Sequence, residues 1–138
     1  APKPLMGEIA KSVLDAGGTV TGRGDHPVMQ DDLQYDGLTE LIVTETITER
    51  KTEMIRRGDA FIAFPGGTGT LEEIAEVMSK VSLKQLDAPC ILYNLNGYYN
   101  GLKTCWIIMI ETGLSTKERQ KGIRFAENLE QIKQILKA

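Results

Sequence analysis

A short apolar run followed by a glycine loop and an acidic segment constrains this chain more than any other part of it. The motif reads Phe61-Ile62-Ala63-Phe64-Pro65-Gly66-Gly67-Thr68-Gly69-Thr70-Leu71-Glu72-Glu73. Residues 60–64 are apolar and stop at Pro65, which is typical of a strand in a parallel sheet covered on both faces. Further on, apolar residues recur at helical spacing at Ile74, Val77, Met78 and Val81. The motif therefore predicts a strand, a tight loop and a helix in succession.

The three glycines fit a phosphate site at the N-terminus of that helix. Glycine lets the backbone approach a ligand closely, and the free amides and dipole of a helix N-terminus favour an anion. A P-loop is excluded because its last glycine is followed by Lys and then Ser or Thr, whereas Gly69 is followed by Thr70 and Leu71. The dinucleotide-binding motif is excluded because Glu72 stands where that motif has its third glycine. The alternative is a tight strand-to-helix turn that binds no ligand.

Thr70 and Glu73 allow two interpretations. Their Thr-x-x-Glu spacing is that of a capping box, in which the two side chains satisfy helix amides and take no part in catalysis. A carboxylate beside a phosphate site could instead act in the chemistry. The spacing alone leaves both interpretations open.

Composition narrows the class of protein. The chain has 138 residues, of which 41% are hydrophobic, so we expect one core and a single domain over residues 1–138. The net charge is −3 and no run of Lys or Arg exceeds two residues, which argues against a nucleic-acid partner. No apolar run approaches the roughly 20 residues that span a bilayer, and the N-terminus of the sequence lacks the basic region followed by an apolar one that is typical of a signal peptide. We therefore expect a cytoplasmic protein that does not enter a membrane.

The sequence predicts neither a metal site nor a cofactor. Cys90 and Cys105 have no metal-binding or redox spacing and are expected to be small buried hydrophobic residues. His26 is the only histidine and lies beside Pro27 in a polar segment. One histidine cannot form a metal site, and we expect no catalytic role for it.

Strands and helices are predicted to alternate along the chain. Strands are predicted at residues 19–22, 38–44, 60–64, 90–95 and 123–126. Helices are predicted at 6–16, 46–57, from the glycine loop through Val81, at 98–112, and after an Asn128 cap, with polar loops at 23–37 and 113–122. In the 98–112 helix, Leu102, Cys105, Trp106 and Met109 are expected to face inward, although Trp106 and Met109 would also fit a dimer face. This order predicts a doubly wound parallel α/β sheet that binds ligands at the carboxyl ends of its strands.

Two motifs together resemble a known family. Thr48-Glu49-Arg50-Lys51-Thr52-Glu53-Met54, followed by the glycine motif, is similar to the Lonely Guy (LOG) proteins, which are cytokinin riboside 5′-monophosphate phosphoribohydrolases formerly described as putative lysine decarboxylases. The similarity runs from Leu5 to the C-terminus. It implies a Rossmann-like domain that hydrolyses the N-glycosidic bond of a purine nucleoside 5′-monophosphate, such as AMP or an N6-modified AMP, to the free base and ribose 5-phosphate. It also implies a homodimer without a cofactor.

The resemblance implies a set of site residues. Arg50 and Glu73 match the catalytic pair, and this chemistry is reasonable because a carboxylate can stabilise an oxocarbenium-like state or activate water while a guanidinium binds phosphate or the departing base. The positions that match substrate contacts are Lys51, Gly66, Gly67, Thr68, Gly69, Thr70, Leu71, Glu72 and Ser79, together with Asp32 in a loosely aligned loop.

The chain also departs from the family pattern. Ile47-Thr48 stands where relatives have Met-His, so a base contact made by that histidine is absent and the preferred base stays open. Relatives begin with a strand, a helix and a second strand that would precede Pro4. We therefore expect the domain to be N-terminally incomplete in this sequence, as a fragment, through omitted segments, or because another copy completes it.

Two other functions compete with hydrolysis. Related folds with a similar glycine loop carry nucleotides or molybdenum cofactor without hydrolysing them, but a carrier has less need for Arg50 and Glu73. Amino-acid decarboxylation would need a lysine in a pyridoxal phosphate site, and no lysine stands in such a context.

Overall fold

The chain divides into two compact units, Ala1–Arg57 and Gly58–Ala138, which are described separately below. The structure is a computed structural model that describes residues 5–25, 40–44 and 47–138. Asp32, His26 and Thr46, the first residue of the helix predicted at 46–57, lie outside the described residues.

The first unit contains two helices and a pair of parallel strands. Helix α1 covers Leu5–Asp15, strand β1 Thr21–Asp25, strand β2 Glu40–Thr44 and helix α2 Ile47–Arg57. The helix predicted at 6–16 ends at a glycine stop, because Gly17 has a φ of +89° and the Gly18 N–H donates to the Val13 carbonyl at 2.9 Å. The predicted strand at 19–22 is displaced, since β1 begins at Thr21 and continues to Asp25, into residues that we expected to form a loop.

The second unit is a three-stranded parallel sheet with helices around it. Its elements are β3 at Phe61–Ala63, α3 at Thr68–Ser82, β4 at Cys90–Tyr93, α4 at Asn100–Glu111, α5 at Lys117–Gln120, β5 at Ile123–Ala126 and α6 at Leu129–Lys137. The strands lie in the order β3-β4-β5 and all pairs are parallel. This arrangement confirms the predicted α/β class with a Rossmann-like parallel sheet.

The core of the second unit forms around β4, whose four residues are all buried. Ile91 and Tyr93 pack with Ala126 of β5 and Ile132 of α6 in one hydrophobic cluster. Because side chains alternate along a strand, Cys90 and Leu92 point to the opposite face. On α3, which contacts all three strands, Ile74 and Val77 are buried as the apolar spacing predicted.

The prediction of the inward face of α4 was right for Leu102 and Trp106, which are half-buried with the Trp106 ring edge to face against Phe125, and wrong for Cys105 and Met109. None of its twelve residues, all of which the structure describes, is buried. Cys105 and Met109, which were expected to face inward, are exposed, and Ile107 and Ile108 beside them are also exposed. The helix is apolar on nearly all sides, so the spacing of its apolar residues does not define an inward face.

Two further predictions concern the C-terminal third. The segment 113–122 is not wholly a loop, because α5 forms within it and the Thr116 side chain caps this helix by accepting a hydrogen bond from the Arg119 N–H at 3.1 Å. The Asn128 cap is confirmed, since its Oδ1 accepts from the Gln131 N–H at 2.9 Å.

Candidate active site

The glycine loop joins the carboxyl end of β3 to the N-terminus of α3. Gly67 is the N-cap, in an extended conformation with φ −94° and ψ −157°, and the first bond of the helix joins the Leu71 N–H to the Gly67 carbonyl at 3.1 Å. The amides of Thr68, Gly69 and Thr70 precede that bond and have no partner within the helix. Since Gly67, Thr68 and Gly69 are also exposed, this helix N-terminus can receive an anion.

The three positions of the loop are occupied by glycine for different structural reasons. A Cβ built on Gly66 would lie 2.8 Å from the Thr70 Cβ, so a tight turn requires glycine at that position. A Cβ built on Gly67 or Gly69 would meet no described atom within 4 Å, and neither residue has a positive φ. The fold of the described residues therefore explains Gly66, whereas Gly67 and Gly69 leave open space beside the free amides.

The structure excludes the capping-box interpretation of Thr70 and Glu73. A capping box needs its threonine at the N-cap, but Gly67 is the N-cap and Thr70 is the third residue of α3. Glu73 instead lies in the second turn of the helix and is half-buried. The Cα–Cβ bonds of a helix tilt toward its N-terminus, so the Glu73 side chain leaves the helix in the direction of the loop.

The other predicted positions on α3 are distributed along the helix. Leu71 and Glu72 are exposed in its first turns, close to the loop. Ser79 is exposed as well, but it is the twelfth residue of α3 and lies roughly 18 Å along the axis from Gly67, at about 1.5 Å per residue. Glu73 therefore lies much closer than Ser79 to the N-terminus of α3.

The remaining predicted residues belong to the first unit. Arg50 lies in the first turn of α2, and its side chain is outside the described part of the structure. Lys51 follows it and is half-buried. Thr48, where the resemblance predicts a histidine, occupies the second position of the same helix.

Two tyrosines that the sequence analysis did not single out reach the loop. The Tyr98 hydroxyl donates to the Gly66 carbonyl, and the Tyr99 hydroxyl donates to the Phe64 carbonyl at 2.6 Å. Both residues follow β4, which is the neighbour of β3. The carboxyl ends of parallel strands lie at one edge of the sheet, so residues that follow β4 lie near the loop that follows β3. The tyrosine pair directly after the Asn96-Gly97 turn is therefore the sequence signal that could have identified these two residues.

One cavity of the second unit lies at the other edge of the sheet. It has a volume of about 620 Å³ and is lined by the C-terminal half of α4, by α5 and by the start of β5, including Trp106 and Phe125. The start of β5 is opposite to the edge that carries the glycine loop. Among the predicted site residues that the structure describes, none lines this cavity.

Other features of the described residues add little to the chemistry of the candidate site. Burial raises the pKa of the Cys90 thiol to about 12, so this thiol stays protonated and unreactive at neutral pH. In the described ranges, no three His, Cys, Asp or Glu side chains come together as a metal site. No helix within the same ranges has both the length and the apolar character needed to cross a bilayer.

The fold and the loop define an α/β protein in which the glycine-loop helix has its N-terminus at the carboxyl edge of a parallel sheet. The family model described as "possible lysine decarboxylase" matches residues 6–136. The chain belongs to this family, whose curated members include the LOG proteins.

The curated relatives are phosphoribohydrolases. The chain is 37% identical over 134 residues to cytokinin riboside 5′-monophosphate phosphoribohydrolase LOG5 of Arabidopsis thaliana, a match that covers 97% of this chain and 59% of the relative. It is 40% identical over 117 residues to LOG4 of the same plant, covering 84% of this chain and 54% of LOG4. It is 44% identical over 99 residues to the cytokinin riboside 5′-monophosphate phosphoribohydrolase of Rhodococcoides fascians, covering 71% of this chain and 50% of that protein. The matches thus span between half and three-fifths of the length of these relatives.

Proposed function

We propose that this protein hydrolyses the N-glycosidic bond of purine nucleoside 5′-monophosphates, releasing the free base and ribose 5-phosphate. The observation that carries the proposal is the open space at Gly67 and Gly69, which lies next to the free amides at the start of α3. Glu73 follows in the second turn of the same helix. A bound 5′-phosphate accounts for glycine at positions where the fold of the described residues does not require it. The names of the three relatives describe the same reaction class.

The proposed roles follow from the chemistry of each group. The amides at the start of α3 bind the 5′-phosphate, with Thr68, Thr70, Leu71 and Glu72 around them. Glu73 stabilises the positive charge that develops on the ribose or activates the attacking water. Arg50 acts with Glu73 as the second catalytic residue. The supporting contacts, which we assign by resemblance, come from Lys51, Ser79 and Asp32.

The substrate and assembly form part of the same proposal. AMP or an N6-modified AMP is the substrate, and the protein acts as a homodimer in the cytoplasm. Ile107, Ile108 and Met109 are exposed on α4, and these apolar residues support an interface between two copies. Sedimentation of the protein and of Ile108→Glu tests this assembly, since a wild-type monomer would contradict it.

Product release tests the reaction directly. Incubation of the purified protein with AMP and with N6-isopentenyl-AMP should release adenine and the prenylated base, each in a 1:1 ratio with ribose 5-phosphate. Glu73→Gln should lower turnover by about 10²–10⁴-fold, because the variant keeps the shape of the side chain and loses its charge. Glu111→Gln at the C-terminal end of α4 is the matched control and should keep the wild-type rate.

Two results would contradict the proposal. Full turnover by Glu73→Gln would remove this carboxylate from the mechanism. Recovery of intact, bound nucleotide or cofactor without release of base from any monophosphate would instead indicate a carrier.

A further inference from the structure

The segment after β4 holds the glycine loop through its carbonyl groups. Tyr98 donates to the carbonyl of Gly66, and Tyr99 donates to the carbonyl of Phe64. These bonds join residues 32 and 35 positions apart in the chain. The two carbonyls lie on either side of Pro65, which has no N–H of its own to fix the loop.

The bond from Tyr98 has a direct geometric effect on the anion site. The carbonyl of Gly66 and the N–H of Gly67 belong to one planar trans peptide unit, in which the two groups point in opposite directions. When Tyr98 holds the carbonyl on its side of the loop, the Gly67 N–H must point to the other side. Tyr98 therefore sets the direction of a backbone donor that it does not touch.

Buried groups hold the tyrosine pair in place. Asn94 has 0% exposure, and its Oδ1 accepts from the Tyr99 N–H at 2.6 Å. Its Nδ2 donates to Asn100 Oδ1 at 2.8 Å and to Glu127 Oε1 at 3.4 Å, which ties the segment to the end of β5. The rings of Tyr98 and Tyr99 meet edge to face, with centroids 5.1 Å apart.

The Tyr99 phenol is suited to a permanent donor role. Burial is the main cause that raises its pKa above the ordinary value, and the neighbouring Tyr98 phenol adds to the effect. The group therefore stays protonated at neutral pH and can donate to Phe64 throughout. Only Tyr98, which is 54% exposed, lies where solvent and ligand can compete for its hydrogen bond.

We infer that Tyr98 is a positioning residue of the phosphate loop, which orients the Gly67 amide for an anion through the Gly66–Gly67 peptide plane, while Asn94 and Tyr99 anchor it. The identity of the anion in this inference rests on the proposed function. The positioning role of Tyr98 requires only that the loop binds phosphate.

A measurement of phosphate binding tests the positioning role of Tyr98 separately from catalysis. Inorganic phosphate is titrated into the purified protein and into Tyr98→Phe, with affinity measured by calorimetry and with the Gly67 amide followed by ¹H–¹⁵N NMR. Loss of one hydrogen bond should weaken phosphate binding by about three- to tenfold and shift the Gly67 resonance before phosphate is added. In an active protein, KM for the nucleotide should rise by a similar factor while kcat stays near the wild-type value.

Tyr93→Phe is the matched control. It removes a hydroxyl from the preceding strand, where the Tyr93 ring packs edge to face against Phe64 with centroids 5.3 Å apart, but the Tyr93 hydroxyl makes no hydrogen bond to a loop carbonyl among the described residues. Phosphate affinity and the Gly67 resonance should stay at their wild-type values. Melting temperatures of both variants should stay close to that of the wild type, since Tyr98 is largely exposed.

Three results would overturn the inference. They are unchanged phosphate affinity in a folded Tyr98→Phe protein, an equal loss in Tyr93→Phe, and no phosphate binding by the wild type. Absence of base release, with phosphate binding that still depends on Tyr98, would contradict the proposed reaction and leave the positioning role standing.

Discussion

Gly66 and Thr70 are in direct contact across the first turn of α3, and the space between them does not admit a methyl group. This contact separates the glycine that shapes the turn from the glycines that leave room for a ligand. Single substitutions can therefore test the two roles independently.

Alanine at position 66 should damage the turn. The added Cβ would lie 2.8 Å from the Thr70 Cβ, so the loop or the helix must shift. We expect Gly66→Ala to lose about 1–3 kcal/mol in the free energy of unfolding, measured by urea denaturation. A free energy equal to that of the wild type would show that the turn accommodates the methyl group.

Alanine at position 69 should have the opposite effect on stability. Gly69 lies inside the first turn of α3 with open space around it, so Gly69→Ala should gain about 0.5–1 kcal/mol from helix propensity. The same methyl group should obstruct a ligand at the loop and weaken phosphate binding. Higher stability with unchanged phosphate affinity would argue that nothing binds there.

The Asn96-Gly97 turn should also require its glycine. Gly97 has a φ of +74°, and a Cβ there would lie 2.6 Å from Asn100 Nδ2. We expect Gly97→Ala to destabilise the protein by about 1–3 kcal/mol and to weaken phosphate binding, since the turn places Tyr98. Gly101→Ala in α4, where no described atom lies within 4 Å of the added Cβ, is the control and should be neutral or stabilising.

The two cysteines should differ in reactivity. Cys90 is fully buried and Cys105 is exposed. An alkylating reagent should label one thiol in the native protein and two after unfolding, counted by intact mass. Cys105→Ser should then show no label in the native state; rapid native labelling of this variant would contradict the burial of Cys90.

Stability should fall at alkaline pH because of Cys90. Burial raises the pKa of this thiol from its ordinary value of 9.0 to about 12, so its neutral form is favoured in the folded state. The associated stability is complete below about pH 9 and is lost as the pH rises toward about 12, by at most about 1.4 kcal/mol per pH unit. Urea midpoints of Cys90→Ala should decline less over this range than those of the wild type.

Removal of the cap on α6 should cost a small, defined amount. Asn128 Oδ1 accepts from the Gln131 N–H, so Asn128→Ala should lose about 1 kcal/mol of unfolding free energy in urea. Asn128→Ser can make the same bond and should retain most of that stability. Equal losses in both variants would indicate that Asn128 acts through something other than the cap.

Local signals in the sequence predicted much of the second unit. The strand, loop and helix around Gly66 follow from an apolar run, a proline stop and helical periodicity, and β5 has the predicted bounds, Ile123–Ala126. The glycine stop at Gly17 and the Asn128 cap are also local features that depend on a few neighbouring residues.

Contacts between distant segments could not be predicted in the same way. The bond from Tyr99 to Phe64 joins residues 35 positions apart, and no periodicity reports it. In helix α4, Leu102 and Trp106 are half-buried as predicted, but Cys105 and Met109 are exposed, because apolar residues spread over much of the helix surface and do not define one inward face. The spacing of Thr70 and Glu73 fitted a capping box, but Gly67 is the N-cap of the helix. The position of the N-cap depends on where the loop ends, and the backbone conformation of Gly66 and Gly67 determines that point.

The central position of β4 has a consequence for the order in which this unit opens. Both edges of Cys90–Tyr93 are hydrogen-bonded, and all four residues are buried, whereas β3 and β5 each pair along one edge in the described sheet. Amide exchange from β4 therefore requires global opening, while the flanking helices can detach in smaller fluctuations. The tyrosine pair follows directly from this strand, so the loop is held from the part of the unit that opens last.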